Sequence, residues 1–180
     1  MLVSEFYTTA PEHGSERAKA AFALLDALGI PYRRVEHEAA ETMEVCAAVS
    51  DKLGTRICKN LFLCNRQQTV FYLLTMPEDK PFYTKDLSHQ IGSSRLSFAP
   101  PEKMEELLGC SPGSASVLGL ANDTGRRVRL ILDRDVVVSE RFACHPCDNT
   151  GSLTLATRDL LETFLPHVGH DYDVVELSGV

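Results

Sequence analysis

Two short strings in this chain set residues capable of chemistry side by side. The first is Lys59-Asn60, an ammonium and a carboxamide at the mouth of the apolar run Leu61-Phe62-Leu63. Three consecutive apolar residues predict a strand covered on both faces. An ammonium drawn into such a setting without partners costs several kcal/mol. Lys59 therefore either stands just outside the sheet with its head in water or is held there to make a charge-assisted hydrogen bond. The second string is Cys144-His145-Pro146-Cys147, which has redox spacing and could also ligate a metal. A redox pair needs a helix N-terminus to stabilise its thiolate. Here Asp148-Asn149-Thr150-Gly151 follows, a turn whose negative charge raises a thiol pKa. A zinc centre would need a further ligand, from Asp148 or a distant cysteine, and no second CxxC completes the pattern. Arg126, Arg127 and Arg129, with Arg56, Lys59 and Arg66, add phosphate-pairing capacity. A run such as Arg126-Arg127 is more often a solvated turn than a phosphate site, and His37-Glu38 and His167…His170 read as solvated pairs.

The elements that must position these groups follow from local signals. Residues 1–13 lack a period and read as an N-terminal arm, with residues 14–180 as the domain. Ser15 caps a helix through Leu28, and Gly29 and Pro31 stop it. Tyr32–Glu36 reads as a strand. Thr42 caps a helix over Met43–Leu53, ended by Gly54, with Val45, Ala48 and Val49 on one face. Strands over Cys58–Cys64 and Thr69–Met76 form a hairpin through Asn65-Arg66-Gln67-Gln68. Thr84 caps a helix to Ile91, and a further helix covers Glu102–Leu108. Ser114–Leu120 reads as loop passing into strand, followed by a strand over Arg127–Leu132, a turn into Val136-Val137-Val138, and extended Phe142–Cys144. Ser152–Leu155 is a strand, Thr157 caps a helix to about Leu165, and Tyr172–Leu177 is a last strand. Hairpins mixed with helices predict an α+β fold rather than a doubly wound one.

The totals narrow the classes. A chain of 180 residues with 44% hydrophobic and 24% charged residues suits one globular domain. No apolar stretch has membrane-spanning length and the start shows no signal-peptide pattern, which predicts a cytoplasmic protein. In that setting the six cysteines read as reduced, mostly buried thiols. A net charge of −7 argues against wrapping a long nucleic-acid backbone while allowing a local contact with one nucleic-acid end. GxSxG, P-loop and GxGxxG strings are missing, so the common hydrolase elbow, nucleoside-triphosphate and dinucleotide readings lack support.

Several strings in order resemble a known family. Lys59-Asn60-Leu61-Phe62-Leu63 is similar to the KNLFL signature of the YbaK/ProX aminoacyl-tRNA editing domains. Thr84-Lys85-Asp86-Leu87 and Arg95-Leu96-Ser97-Phe98-Ala99 resemble its DLK and RLSFA segments. Pro112-Gly113-Ser114-Ala115-Ser116 resembles its PGSVS loop, His145 to Thr150 its HPxxNT loop, and Asp171–Val175 its last strand. The match runs from about Ala23 to Leu177, and the free-standing ProX-type proteins are the most similar. One departure is Val117, where the family's glycine loop often carries a proline.

The resemblance implies a single α+β domain, a mixed, mostly antiparallel curved sheet or barrel flanked by helices. It implies hydrolysis in trans of alanine mischarged onto proline tRNA, with a substrate hydroxyl helping to position the water and no cofactor or metal. Lys59, Asn60 and His145 are the expected catalytic residues; Gly113, Ser114 and Ala115 are an expected anion-binding loop. Val45 and Ala48 are the expected wall that admits alanine and excludes proline, so Ala48→Leu should block alanine release. The implied partners are the tRNA acceptor end and prolyl-tRNA synthetase, with no membrane and no DNA. Three alternatives stay open: a cysteinyl-tRNA(Pro) deacylase, a non-catalytic tRNA- or partner-binding module, and a CxxC redox or zinc protein.

Overall fold

Helix and strand ends fall where the local chemistry puts them. In the computed structural model, which describes residues 2–178, Ser15 accepts from the Ala18 N–H at 3.2 Å and opens α1 (Glu16–Ala27). Thr42 does the same for α2 (Met43–Leu53), which Gly54 closes in the left-handed conformation that glycine adopts without strain. Thr84 is the first residue of α3 (Thr84–Ile91) rather than its cap; Tyr83 precedes it and offers no side-chain acceptor. Pro101 opens α4 (Pro101–Leu108), where its missing N–H costs nothing.

Two sheets enclose the main core. β1 (Tyr32–Glu36), β7 (Gly151–Ala156) and β6 (Arg141–Cys144) form an antiparallel three-stranded sheet in the order β1-β7-β6. The five-stranded sheet runs β4-β2-β3-β5-β8, from β4 (Ser97–Phe98), β2 (Lys59–Cys64) and β3 (Phe71–Met76) to β5 (Val128–Asp133) and β8 (Tyr172–Val175). The β2–β3 hairpin and the β2–β4 pair are antiparallel, whereas β3–β5 and β5–β8 are parallel. The sheets stay open, with no closed barrel among the described residues. Phe62, Phe71, Phe142 and Phe164 are fully buried, and they pack between the sheets with Leu25, Leu73 and Leu153. A second cluster, around Leu63, Leu74, Leu87 and Ile131, covers the other face of the larger sheet.

Three local expectations give way to tertiary context. The stretch after Ala115 forms a 3-10 helix, Val117–Asn122, capped by the Ser116 hydroxyl, not a strand. Val136 and Val137 lie in a one-turn helix, α5 (Arg134–Val137), because Asp133 caps it through the Asp135 N–H. The last helical stretch runs on past Leu165, as α6 (Thr157–Asp159), a π-helical segment (Leu160–Phe164) and α7 (Leu165–Val168). Pro166 has no N–H to give an ordinary turn, and the wider π turns ahead of it absorb the lost bond. The arm docks on β1 through Val3–His37 and Tyr7–Arg34 bridges. No helix among the described residues is long and apolar enough to cross a membrane.

Candidate active site at the open edge of the central hairpin

The floor of a cleft of about 470 Å3 is the free edge of β2. Phe62 O accepts from Ala99 N at 2.9 Å, and Asn65 N donates to Val70 O at 3.1 Å. Even-numbered residues of β2 therefore turn their peptide groups away from β3 and toward β4. Phe62 and Cys64 meet partners there. The register Leu63↔Phe98 and Cys64↔Ser97 carries Asn60 opposite Pro101. Proline has no N–H, and the chain turns into α4 at that point. The N–H and C=O of Asn60 thus find no partner among the described residues and face the cleft. Asn60's side chain is already engaged: Oδ1 accepts from Thr75 at 2.7 Å and Nδ2 donates to Cys58 O at 3.1 Å. Its carboxamide fixes the strand, and its peptide group is what the cleft presents.

Lys59 is neither outside the sheet nor unpartnered. It is half-buried as the first residue of β2, and its Nζ donates to Lys80 O at 2.7 Å. That carbonyl is itself anchored: Lys80 Nζ lies 3.0 Å from both oxygens of the fully buried Asp133 and 2.9 Å from Asp135. Burial works against the charged Lys80, but its bonds to Asp135 and Asp133 outweigh it and raise the pKa. Asp133 also accepts from the N–H groups of Asp135 and Leu177. Lys59 keeps two further N–H donors for a ligand.

His145 reaches the cleft from the loop after β6. Its Nδ1 lies 2.9 Å from Gly151 O and 3.1 Å from Ser152 Oγ. A carbonyl only accepts, so Nδ1 carries the proton and Nε2 holds the lone pair. Nε2 has no hydrogen-bond partner among the described residues. Ser152, fully buried, is also 2.7 Å from Nε2 of His37, whose Nδ1 sits 2.7 Å from Glu38 O. His37 is therefore a buried structural residue, not half of a solvated pair. Burial holds the His145 pKa below the usual histidine range, with a smaller push in the same direction from His37.

The third wall is the turn Ser111-Pro112-Gly113-Ser114. Gly113 has φ +87° after a proline, the geometry of a type II turn, which a side chain would strain. Gly113 and Ala115 line the cleft. Ser114 does not; its buried hydroxyl donates to Ser111 O at 2.9 Å and holds the turn closed. From α2 the lining residue is Cys46, whereas Val45 is packed with Val35, Val49 and Ile57 and Ala48 lies off the cleft. The α2 residue facing the cleft is thus one position on from Val45, because Val45, Val49 and Leu53 are packed into the core. Among the described residues Glu78 supplies the cleft's one carboxylate, and Phe98 and Met104 line it on the apolar side.

Most of the other sequence candidates lie elsewhere. Cys58 does line the cleft, but burial pushes its thiol and that of Cys144 up to about 12, and a hydrogen bond with Cys110 followed by burial raises Cys147. Among the described residues no three His, Cys, Asp or Glu side chains group to hold a metal ion. Arg56, Arg127 and Arg129 are paired with Asp79, Glu106 and Asp173. His170 is buried, 3.0 Å from Asp123, so it is not a solvated helix end. Grooves of about 580 and 670 Å3 lie under the arm and beside α2, and neither brings together the lysine, the open peptide edge and the histidine.

Residues 37–163 match the model of the aminoacyl-tRNA editing domain. The chain is 31% identical over 159 residues to a prolyl-tRNA editing protein, ProX, of Acetoanaerobium sticklandii, covering 88% of this chain and 96% of that one. It is 33% identical over 162 residues to the prolyl-tRNA synthetase associated domain-containing protein 1 of Bos taurus, covering 88% and 94%. A crystal structure described as a candidate trans-editing enzyme for prolyl tRNA synthetase superposes with a TM-score of 0.67 at 17% identity, covering 92% of this chain and 100% of that one, which shows a shared fold. The matched segment spans the cleft's lysine strand, its glycine turn and its histidine loop together, and the chain belongs to the aminoacyl-tRNA editing domain family.

Proposed function

We propose that this protein removes alanine mischarged onto proline tRNA, hydrolysing the ester at the terminal adenosine in trans. Deacylation of aminoacyl-tRNA follows from the family; the choice of alanine and the residue roles are our reading. The observation that carries it is the convergence, in one cleft, of a histidine lone pair, an unpaired strand peptide and a half-buried ammonium.

Ester hydrolysis needs an activated water and donors for the oxyanion that develops on the carbonyl. His145 Nε2 takes the proton from water, and Gly151 O stabilises the resulting imidazolium through Nδ1–H. The Asn60 N–H, with the N–H groups of Gly113 and Ala115, receives the oxyanion, while the Ser114 N–H stays on Ser111 O inside the turn. Lys59 uses its free donors on the ribose or phosphate of the terminal nucleotide. The imidazolium then returns its proton to the departing ribose oxygen. Glu78 pairs with the α-ammonium that every aminoacyl ester carries. Cys46 and Ala115 both line the cleft, and we assign to them the exclusion of a pyrrolidine ring by size. Prolyl-tRNA synthetase, the source of such a substrate, is the implied partner. With a net charge of −7, binding should involve the acceptor end alone and depend weakly on salt.

The test is a deacylation panel of alanine, cysteine, serine and proline on proline tRNA, with wild type and Lys59→Ala. Alanine should leave fastest, proline should stay, and Lys59→Ala should abolish release. Full activity in Lys59→Ala would sink the assignment of the lysine. Faster release of cysteine would replace alanine as the substrate. Binding of charged tRNA without release of any amino acid would leave the non-catalytic reading.

A further inference from the structure

Phe98 is 65% exposed, yet it is not a stray surface aromatic. It lies on β4, a two-residue edge strand, and pairs with Leu63. Directly paired residues share a face, so Phe98 stands on the same side of the sheet as Leu61 and Lys59. Leu61, Phe98, Pro101 and Met104 all line the cleft, making an apolar rim that runs into the polar floor. Four residues of strand, at ~3.3 Å each, set Phe98 roughly 13 Å along β2 from the Lys59 backbone. Arg95, exposed and without an ion-pair partner among the described residues, precedes this strand.

A substrate whose ester carbonyl lies on the β2 edge must bring its own terminal base within reach of this rim. Resting on the functional reading above, we propose that Phe98 is the platform on which the terminal base of the tRNA stacks. A base has a flat apolar face and its sequence is invariant at this end, so a stack needs no hydrogen-bond code. The ring's position, on a strand edge fixed by backbone pairing, supplies a rigid surface. It also explains why a large apolar side chain is left exposed beside a catalytic cleft rather than turned inward.

The chain contains no tryptophan, so Phe98→Trp introduces a single fluorescent reporter at an exposed position that does not test the core. The probe is an uncharged acceptor-stem RNA of proline tRNA ending in CCA, titrated beside the same RNA lacking the terminal A. Saturable quenching by the first and its loss with the second are expected. Val138→Trp, 68% exposed and away from the cleft, should not respond. In deacylation, Phe98→Ala should raise KM roughly 5- to 150-fold, the range for losing one base–aromatic stack, and leave kcat within about threefold of wild type. Equal quenching without the terminal A, or an unchanged KM in an enzyme that does deacylate, overturns the proposal. The quenching readout needs no hydrolysis, so an inactive wild type with intact quenching would refute the functional reading and spare the stack.

Discussion

Replacing His145 with alanine separates the chemistry of the site from its architecture. A positioned general base contributes about 10²- to 10⁴-fold, or about 2.7–5.4 kcal/mol at ~1.36 kcal/mol per tenfold. His145→Ala should lose that much in kcat. Ser152→Ala is the matched control, because its hydroxyl touches both His37 and His145 while Gly151 O alone still fixes the His145 tautomer. It strands His37 Nε2 in a buried position and should cost about 1–3 kcal/mol of stability, with kcat within about threefold. The pH dependence adds a signed test. Burial lowers the His145 pKa, so the neutral imidazole persists below the ordinary ~6.5. The rate, corrected for uncatalysed ester hydrolysis, should stay flat as pH falls through 6.5 and decline only below it. Stability carries the same sign: the unfolded chain takes up the proton first, so the contribution is complete above ~6.5 and is lost as pH falls from there to the folded pKa. Initial rates on alanyl-tRNA(Pro) from pH 5 to 8, with urea unfolding of each variant, measure all of this. An active His145→Ala, a rate midpoint at or above 6.5, or a Ser152→Ala as inactive as His145→Ala would each refute the reasoning.

The remaining expectations concern the walls and the frame. Cys46→Phe should fill the alanine pocket and slow release at least about tenfold, while Ala48→Leu, off the cleft, should leave turnover unchanged; the reverse ranking in a deacylation assay would return the wall to Ala48. Thr75→Val keeps the side-chain volume but strands Asn60 Oδ1, so urea unfolding should show a loss of about 1–3 kcal/mol and kcat should fall as the β2 edge loosens; unchanged stability would show that this bond is dispensable. Gly119→Ala puts a methyl 2.6 Å from Leu108 O and should cost about 1–3 kcal/mol by overpacking, read as a lowered Tm with the 3-10 helix displaced.

Features written in a few adjacent residues were legible in the sequence. Ser15 and Thr42 cap their helices, Gly54 ends one, and the hairpin turn lies at Asn65–Gln68, because each depends on neighbours within one turn of chain. Lys59 was legible as an anomaly, a charge against a buried strand. Its anchor was not, since Lys80 O and Asp133 reach it from distant segments. The same limit hid His37, tied to Ser152 across 115 positions, and His170, tied to Asp123 across 47. It also hid the open Asn60 peptide, which depends on a register that brings Pro101 opposite it. Val45 and Ala48 share an apolar face, and composition cannot say whether such a face meets core or cleft; here Val45 went into the core, Ala48 lies off the cleft, and Cys46 lines it. Glu78, inside a turn-rich break, gave no local signal beyond its charge.

The buried carboxylate of Asp133 has a consequence for handling the protein. One oxygen of it holds the N–H of Leu177 at 3.2 Å, and both oxygens hold the lysine whose carbonyl anchors Lys59. The tail and the cleft thus share one rear fastening. Trimming the chain before Leu177, or fusing a bulky tag that pulls this segment out, frees Asp133 to water, slackens the Lys80 turn and lets the Lys59 ammonium wander. Specific activity would then vary between preparations with identical clefts, according to how each one finishes its last few residues.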